Sequence, residues 1–285
     1  MRRRKGSRFI EGMLERPHGS KGGSEVSDVL RPDVCEALAG EMTPKFLATL
    51  DGNGRPNCVP IISTMPYQDD VLVFGEFMMN KSRRNLAENP RVGITVLTAA
   101  YESWSLTGEF LGFETSGPAV DFVNSRPMFR YNSYTGVRAA GLIRVRDVTN
   151  KQQLGKGPMV LGFGKAFAAR VILAAKKSPQ RCMPMPVEEK FRRLSAVRAI
   201  AFMGSDGFPR TFPLLACFAA DSRRLVFAWN GCETYRTLLD VGSEVAVAII
   251  TMDPIAYQVK GRFSGAIGGV GMIELTECYS ASPPL

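Results

Sequence analysis

The sequence predicts a mainly β fold with short helices (α+β), built twice as two tandem, partly closed antiparallel barrels. Three observations carry this. Glycine (28) and proline (18) are plentiful, and stretches with helical periodicity are few, the composition of a turn-rich β protein. Short apolar runs alternate with turn residues, the pattern of many antiparallel strands. The chain also repeats itself at an offset near 153 residues: Ala48 to Pro60 matches Ala201 to Pro213, and Leu72-Val73-Phe74 matches Leu225-Val226-Phe227. Arg84 with Leu86 matches Arg236 with Leu238, and Gly108-Glu109-Phe110 matches Gly261-Arg262-Phe263, so chance similarity is excluded.

Each element has its reason in the residues. Leu30, Val34 and Leu38 recur at helical spacing and predict a first helix. The run from Ala48 to Leu50, the turn Asp51-Gly52-Asn53-Gly54 and a second run after Pro56 read as a β-hairpin. A strand at Leu72-Val73-Phe74 precedes a short helix over about 81–89, which Pro90 ends because its lost N–H breaks the ladder. Strands follow at Val92 to Leu97 and Trp104 to Leu111, with Trp104 read as a core aromatic. Gly162 to Leu173 predicts a connecting helix, and Cys182-Met183-Pro184-Met185-Pro186 a hinge. Val187, Phe191 and Leu194 open the second copy. Domain boundaries follow: a flexible basic arm over 1–29, a first barrel over 30–148, a basic connecting segment with a helix over 149–186, and a second barrel over 187–285.

Composition narrows the chemistry. The 285 residues are 45% hydrophobic and 22% charged, which suits a globular chain with real cores. No uninterrupted apolar run approaches the ~20 residues of a membrane-spanning helix, so no membrane partner is expected. The single histidine, His18, lies in a polar N-terminal stretch, which argues against histidine-based triads and zinc hydrolysis. The six cysteines form no C-x-x-C pair and read as buried free thiols in a reducing compartment. Met1-Arg2-Arg3-Arg4-Lys5 is not followed by an apolar run, so a cytoplasmic location is expected.

The net charge is +9, and residues 151–198 hold eleven Lys/Arg against two acids, Glu188 and Glu189, so this stretch carries the whole excess. It reads as a solvated face or a partner for a phosphate-rich ligand. No basic–aromatic interleaving accompanies it, and nucleic acid is not expected. Gly265 to Gly271 resembles a dinucleotide loop only superficially, because no helix follows. Phe129 to Tyr134, aromatics around an arginine, would cap a site or cover a sheet edge.

Two motifs in order carry a family resemblance. Phe46 to Pro56 resembles the opening hairpin of the pyridoxamine 5'-phosphate oxidase-like, FMN-binding split-barrel family. Asn80-Lys81-Ser82-Arg83-Arg84-Asn85-Leu86-Ala87-Glu88-Asn89-Pro90-Arg91-Val92 resembles its phosphate-binding turn and helix. The likeness covers about 46–148 and, more faintly, 199–277. It implies two split barrels, and since the family forms homodimers with FMN in the groove between barrels, this tandem chain would build an intrachain pseudo-dimer. It leaves a further homodimer open.

The implied cofactor is FMN, with deazaflavin or haem as alternatives, and the implied partner is a small-molecule substrate. Lys81 and Ser82 fall at the family's phosphate-binding pair, and Arg84 lies one turn on. A phosphate dianion suits a helix N-terminus with cationic side chains. The second copy is read with Glu233 opposite Lys81, followed by Thr234 and Arg236, a degenerate turn that repels phosphate. By the same resemblance the strand Val59-Pro60-Ile61-Ile62-Ser63-Thr64 runs along the flavin ring, and Ser103 falls at a flavin-contacting glutamine. Val59 and Thr64 stand where the oxidases have Arg and Lys, and their C-terminal substrate pattern has no match. The expectation is therefore a flavoprotein rather than a pyridoxamine-phosphate oxidase. It would move electrons or hydride between a reduced nicotinamide or deazaflavin and a small organic acceptor. Non-catalytic flavin, ligand or haem binding is the alternative. No side chain stands out as a general acid or base.

Overall fold

The computed structural model describes residues 29–77, 79–127, 136–174, 181–230, 232–251 and 256–280. His18, the 129–134 aromatics, Lys176 and Lys177 lie outside the described residues.

Pro32, its φ preset for a helix start, opens α1 (Pro32–Ala39), which buries Val34, Ala37 and Leu38. β1 (Lys45–Leu50) and β2 (Pro56–Pro60) form the hairpin. Asp51 Oδ1 accepts from the Asn53 and Arg55 N–H groups, and Gly54 takes a φ of 76° that only glycine adopts freely. There follow β3 (Met65–Gln68), β4 (Val71–Gly75), α2 (Asn80–Glu88), β5 (Arg91–Leu97), β6 (Glu102–Glu114), α3 (Pro118–Asn124), β7 (Ala140–Val148) and a short β8 (Gln152–Gln153). The connector is α4 (Lys156–Ala174), after which α5 (Met185–Arg192) opens the second half. That half comprises β9 (Val197–Met203), β10 (Pro209–Pro213), β11 (Cys217–Ala219), β12 (Arg224–Ala228), a 3-10 turn (Glu233–Tyr235), β13 (Glu244–Ile250), β14 (Ala256–Ile267) and β15 (Val270–Ser280).

The fold class is mainly β with short helices, in two curled antiparallel sheets. Their strand orders are β2-β1-β5-β6-β7-β4-β3 and β10-β9-β13-β14-β15-β12-β11, the same path twice, with β8 added on β6. Even the irregularities repeat. The ladder of β6 slips at Thr107/Gly108 and Phe110/Gly112, and that of β14 at Lys260/Gly261 and Phe263/Gly265, each 153 residues later. Phe74 on β4 pairs with Gly141, and Phe227 on β12 with Gly271; a Cβ on either glycine would collide with the facing ring. Bulges bend strands and re-aim side chains, so their recurrence gives both sheets the same curl.

Each half has its own core. Leu47, Leu72, Phe74, Ile94 and Trp104 anchor the first, while Ile200, Phe212, Phe227, Trp229 and Phe263 anchor the second. A third cluster joins them: Phe46, Ala48 and Cys58 from the first half meet Ala199, Ala201, Ala246 and Ala248 from the second. Small side chains let the sheets approach closely, and a Cβ on Gly93 would strike the Pro209 carbonyl.

Three expectations need correction. The strand read over 59–64 stops at Pro60, and Ile62 and Ser63 form a turn, because the buried Lys45 ammonium takes the Ile62 carbonyl at 3.0 Å. The Cys182–Pro186 segment is not a loose hinge, since Met183 is fully buried and its N–H bonds the Ser222 carbonyl at 2.8 Å. The third concerns register. Ser82 and Leu86 are buried on α2, and Tyr235 and Leu239 are their buried counterparts, whereas Leu238 is exposed. The offset is thus 153 here too, and Glu233 falls opposite Asn80 rather than Lys81.

Candidate functional site

The two halves meet about a pseudo-twofold axis. Gln258 on β14 donates to the Cys58 carbonyl, and Ser105 on β6 donates to the Thr211 carbonyl at 2.7 Å. Cys58 and Thr211, like Ser105 and Gln258, are 153 residues apart, so this is one cross-half bond made twice. Two equivalent clefts result. Each lies between the helical turn and second strand of one half and the β6/β7-type strands of the other.

The first cleft is polar and cationic. Lys81, exposed near the N-terminus of α2, places its Nζ 3.8 Å from the centre of the Tyr279 ring on β15. Arg55, from the β1–β2 turn, crosses to Glu277 at 2.6 Å and Glu244 at 3.0 Å, and these bonds raise its pKa. Tyr279 donates its hydroxyl to Glu277, which pushes the phenol up to about 12. Lys260 on β14 is 5% exposed. Burial, then the nearby Lys81 charge, pushes its ammonium down to about 8, with Glu277 pulling the other way. Arg55, Glu244, Lys260, Arg262, Thr276 and Glu277 line a cavity of about 210 Å³. Beneath α2, Ser82 accepts from Asn57 Nδ2 at 3.1 Å, and Asn57 Oδ1 accepts from Gln258 at 3.1 Å. This buried chain fastens the helix start to both halves.

The second cleft is filled by aromatic rings. Tyr235 stacks on Phe212, with ring centres 4.1 Å apart and planes 5° from parallel. Its hydroxyl meets Ser105 Oγ at 2.8 Å, and burial raises the phenol pKa. At the fixed offset Tyr235 replaces Ser82, Phe212 replaces Val59, Thr234 replaces Lys81, Phe208 replaces Arg55, and Thr107 stands where Lys260 does. The arginines at this rim, Arg91 and Arg146, lie over the Phe208 ring at 5.2 and 4.5 Å.

The sequence-predicted residues are distributed as follows. Lys81 and Arg84 are exposed on α2, while Ser82 is buried and turned inward. Arg83 is turned away, paired with Glu76 and lying over Phe113 at 4.8 Å. Val59, Pro60 and Ile62 are half-buried, and Ile61, Ser63 and Thr64 are buried. Ser63 Oγ accepts the Gly75 N–H at 3.2 Å. Thr64 Oγ1 and Ser103 Oγ are buried with no hydrogen-bond partner among the described residues. Ile62 opens on another cavity, of about 350 Å³, which Lys45, Cys35, Glu36, Glu41 and Arg126 help to line; burial pushes Lys45 to about 8. The structure thus brings Ser82 to β2 and Lys81 to β15, but leaves Ile62 facing elsewhere. Trp104 is a core residue, 2% exposed, its indole N–H reaching Asp33 at 3.3 Å.

Sequence reasoning missed Arg55, Lys260, Glu277 and Tyr279. The signal was present: comparison of the repeats shows Lys260 against Thr107 and Arg55 against Phe208, charge in one copy only.

Residues 33–156 match the family model of pyridoxamine 5'-phosphate oxidase. The match spans most of the first half, and the second half repeats the strand order of the first. Similar solved structures include HupZ of Group A Streptococcus, 18% identical over 43% of this chain and 94% of its own, with a TM-score of 0.36. An FMN-binding protein from Syntrophomonas wolfei subsp. wolfei is 15% identical over 40% of this chain and 81% of its own, TM-score 0.36. HutZ, the haem storage protein from Vibrio cholerae, is 18% identical over 44% and 96%, TM-score 0.35. Comparison with curated proteins gives no match.

Proposed function

We propose that the chain binds one flavin mononucleotide, its phosphate in the first cleft at the start of α2, and serves as a flavin-dependent oxidoreductase. The observation that carries this reading is the asymmetry of the clefts. Lys81, Lys260 and Arg55 gather in one, while rings fill the other. The donor set fits a phosphate. Lys260 makes no ion pair among the described residues; burial first, and the Lys81 charge second, lower its pKa, and a dianion beside both lysines would offset that repulsion. The N-terminal N–H groups of α2 add the dipole that favours an anion. The family match over 33–156 supports the same cofactor.

Each residue then has a task. Lys260 holds its proton against the phosphate, the Tyr279 ring steadies Lys81, and the Asn57–Ser82–Gln258 chain keeps the helix start in place. Val59 and Pro60, half-open at the end of β2, offer backbone and apolar surface to the ring. A flavin held by Lys81, Lys260 and the start of α2 would supply the redox chemistry, hydride transfer between a reduced nicotinamide or deazaflavin and a small organic acceptor.

The test is an absorbance spectrum of purified protein with a measured flavin-to-chain ratio, followed by anaerobic addition of either donor. A yellow protein with one flavin per chain, bleached by a donor, is expected. Colourless protein that ignores added FMN refutes the reading. Bound FMN that neither donor bleaches leaves a binding protein, and a Soret band on adding haemin reassigns the cleft to haem.

A further inference from the structure

The connecting helix α4 is built with its apolar face outward. Its inner face is fully used: Gly162 and Ala166 are buried on β11 and β12, and a Cβ on Gly162 would already press on Asn230 at 3.0 Å. The Phe163 ring lies 5.8 Å from Phe218, and Arg224 bonds the Leu173 carbonyl at 3.1 Å. On the side facing away stand Val160, Leu161, Phe167, Val171 and Ile172, between 51% and 69% exposed. At ~100° per residue they span about 140° of the circumference, with only glycine and alanine between them. Lys156 and Lys165 fall just beyond the two edges of that arc, and the helix has no acidic residue.

A water-exposed helix normally turns its polar face outward, so this face is made for a covering surface. Charge says which one. Lys156, Lys165 and Arg170 all stand on this helix, and no acid on it answers them. A second copy laid on the face would bring lysines against lysines. An anionic lipid surface meets both needs, receiving the apolar side chains while the lysines reach the headgroups. The helix is long and apolar enough to span a bilayer, but its seat on β11 and β12 requires it to lie in the surface plane.

We propose that α4 docks this protein on anionic membrane surfaces. The count of consecutive apolar residues could not show this, because it does not separate one helix face from another.

The test is co-sedimentation of the full chain with phosphatidylcholine vesicles, with and without roughly 30% phosphatidylglycerol. Binding to the anionic vesicles is expected, at least ~10-fold weaker to neutral ones and in ~0.5 M salt. The double variant F167S/V171S should lose ~10-fold or more while keeping the wild-type melting temperature, because both side chains are exposed. F167W serves as a reporter, its emission shifting blue and being quenched by brominated lipid. No partition into anionic vesicles, an unchanged F167S/V171S variant, or no F167W shift overturns the proposal. So does a dimer in light scattering that F167S/V171S dissolves, which would give the face to a second copy.

Discussion

The buried ammonium of Lys260 makes the proposed phosphate site pH-dependent in a definite direction. In the free protein burial and the Lys81 charge push its pKa from 10.5 to about 8. A phosphate dianion in contact favours the charged form, so binding draws a proton onto Lys260 above pH 8 and affinity falls as pH rises. If the bound state restores the ordinary pKa, affinity falls roughly 20-fold between about pH 7.5 and 9.5, about 2 kcal/mol. The phosphate's own charge is constant over that window, because its second pKa is ~6.

The assay is FMN binding followed by fluorescence quenching across that window. K260R keeps a cation that does not titrate there and should bind with a nearly flat profile. K260M should bind weakly and also flat. A flat wild-type profile, or a K260R profile as steep as wild type, refutes the argument and moves the phosphate away from Lys260.

Other consequences can be checked separately. K81E replaces attraction with repulsion at the helix start and should weaken FMN at least ~10-fold, read by the same titration. The flavin-to-chain ratio should be one, and Y235F should leave it there while lowering stability by ~0.5–1.5 kcal/mol in a denaturant melt, for the lost bond to Ser105. G141A and G271A should each destabilise by ~1–3 kcal/mol, since each Cβ meets an equivalent phenylalanine ring; a large cost at only one would break the equivalence of the halves. Lys45 is pushed down to about 8 as Lys260 is, so between pH 8 and 10.5 the unfolded chain holds more protons on these two groups than the folded one. Unfolding free energy of the cofactor-free protein should therefore rise with pH there, by up to ~1.4 kcal/mol per unit for each lysine. K45M should lower that slope.

What was legible in the sequence was whatever repeats or follows a short period. The Asp51–Arg55 turn, the strand at Leu72–Phe74 and the helix broken at Pro90 each announce themselves within a few residues, and the offset of 153 exposes the duplication. What was hidden depends on side chains meeting across the fold. The Lys45 ammonium ends the predicted strand at Pro60 from five residues outside that hairpin arm's own turn, at a position that reads as ordinary strand. The 3-10 turn at Glu233–Tyr235 disguised its register because Arg236 and Leu238 fit a slip of one, and only the burial of Tyr235 and Leu239 shows the true alignment. Lys260 looks like any lysine on a long strand until β14 is placed against α2.

These hidden features share a cause in the duplication itself. In a homodimer every substitution appears at both interfaces, so a ring that closed one groove would close the other. Joining two copies in one chain lifts that constraint. The cleft at Tyr235 and Phe212 is then free to be core, with its stacked aromatic pair and the Ser105 bond, while the cleft at Lys81 holds its cations with Lys260. The helix α4 joins the halves beyond the repeat, and its outward face answers to neither barrel. A chain given Ser at 235 and Val at 212, as at the matching positions of the first half, would still lack a cation at 107, 208 and 234. Such a chain should therefore show a hydrated second cleft with no second flavin, whereas recovery of two flavins per chain would mean that shape alone, without these charges, decides where the cofactor sits.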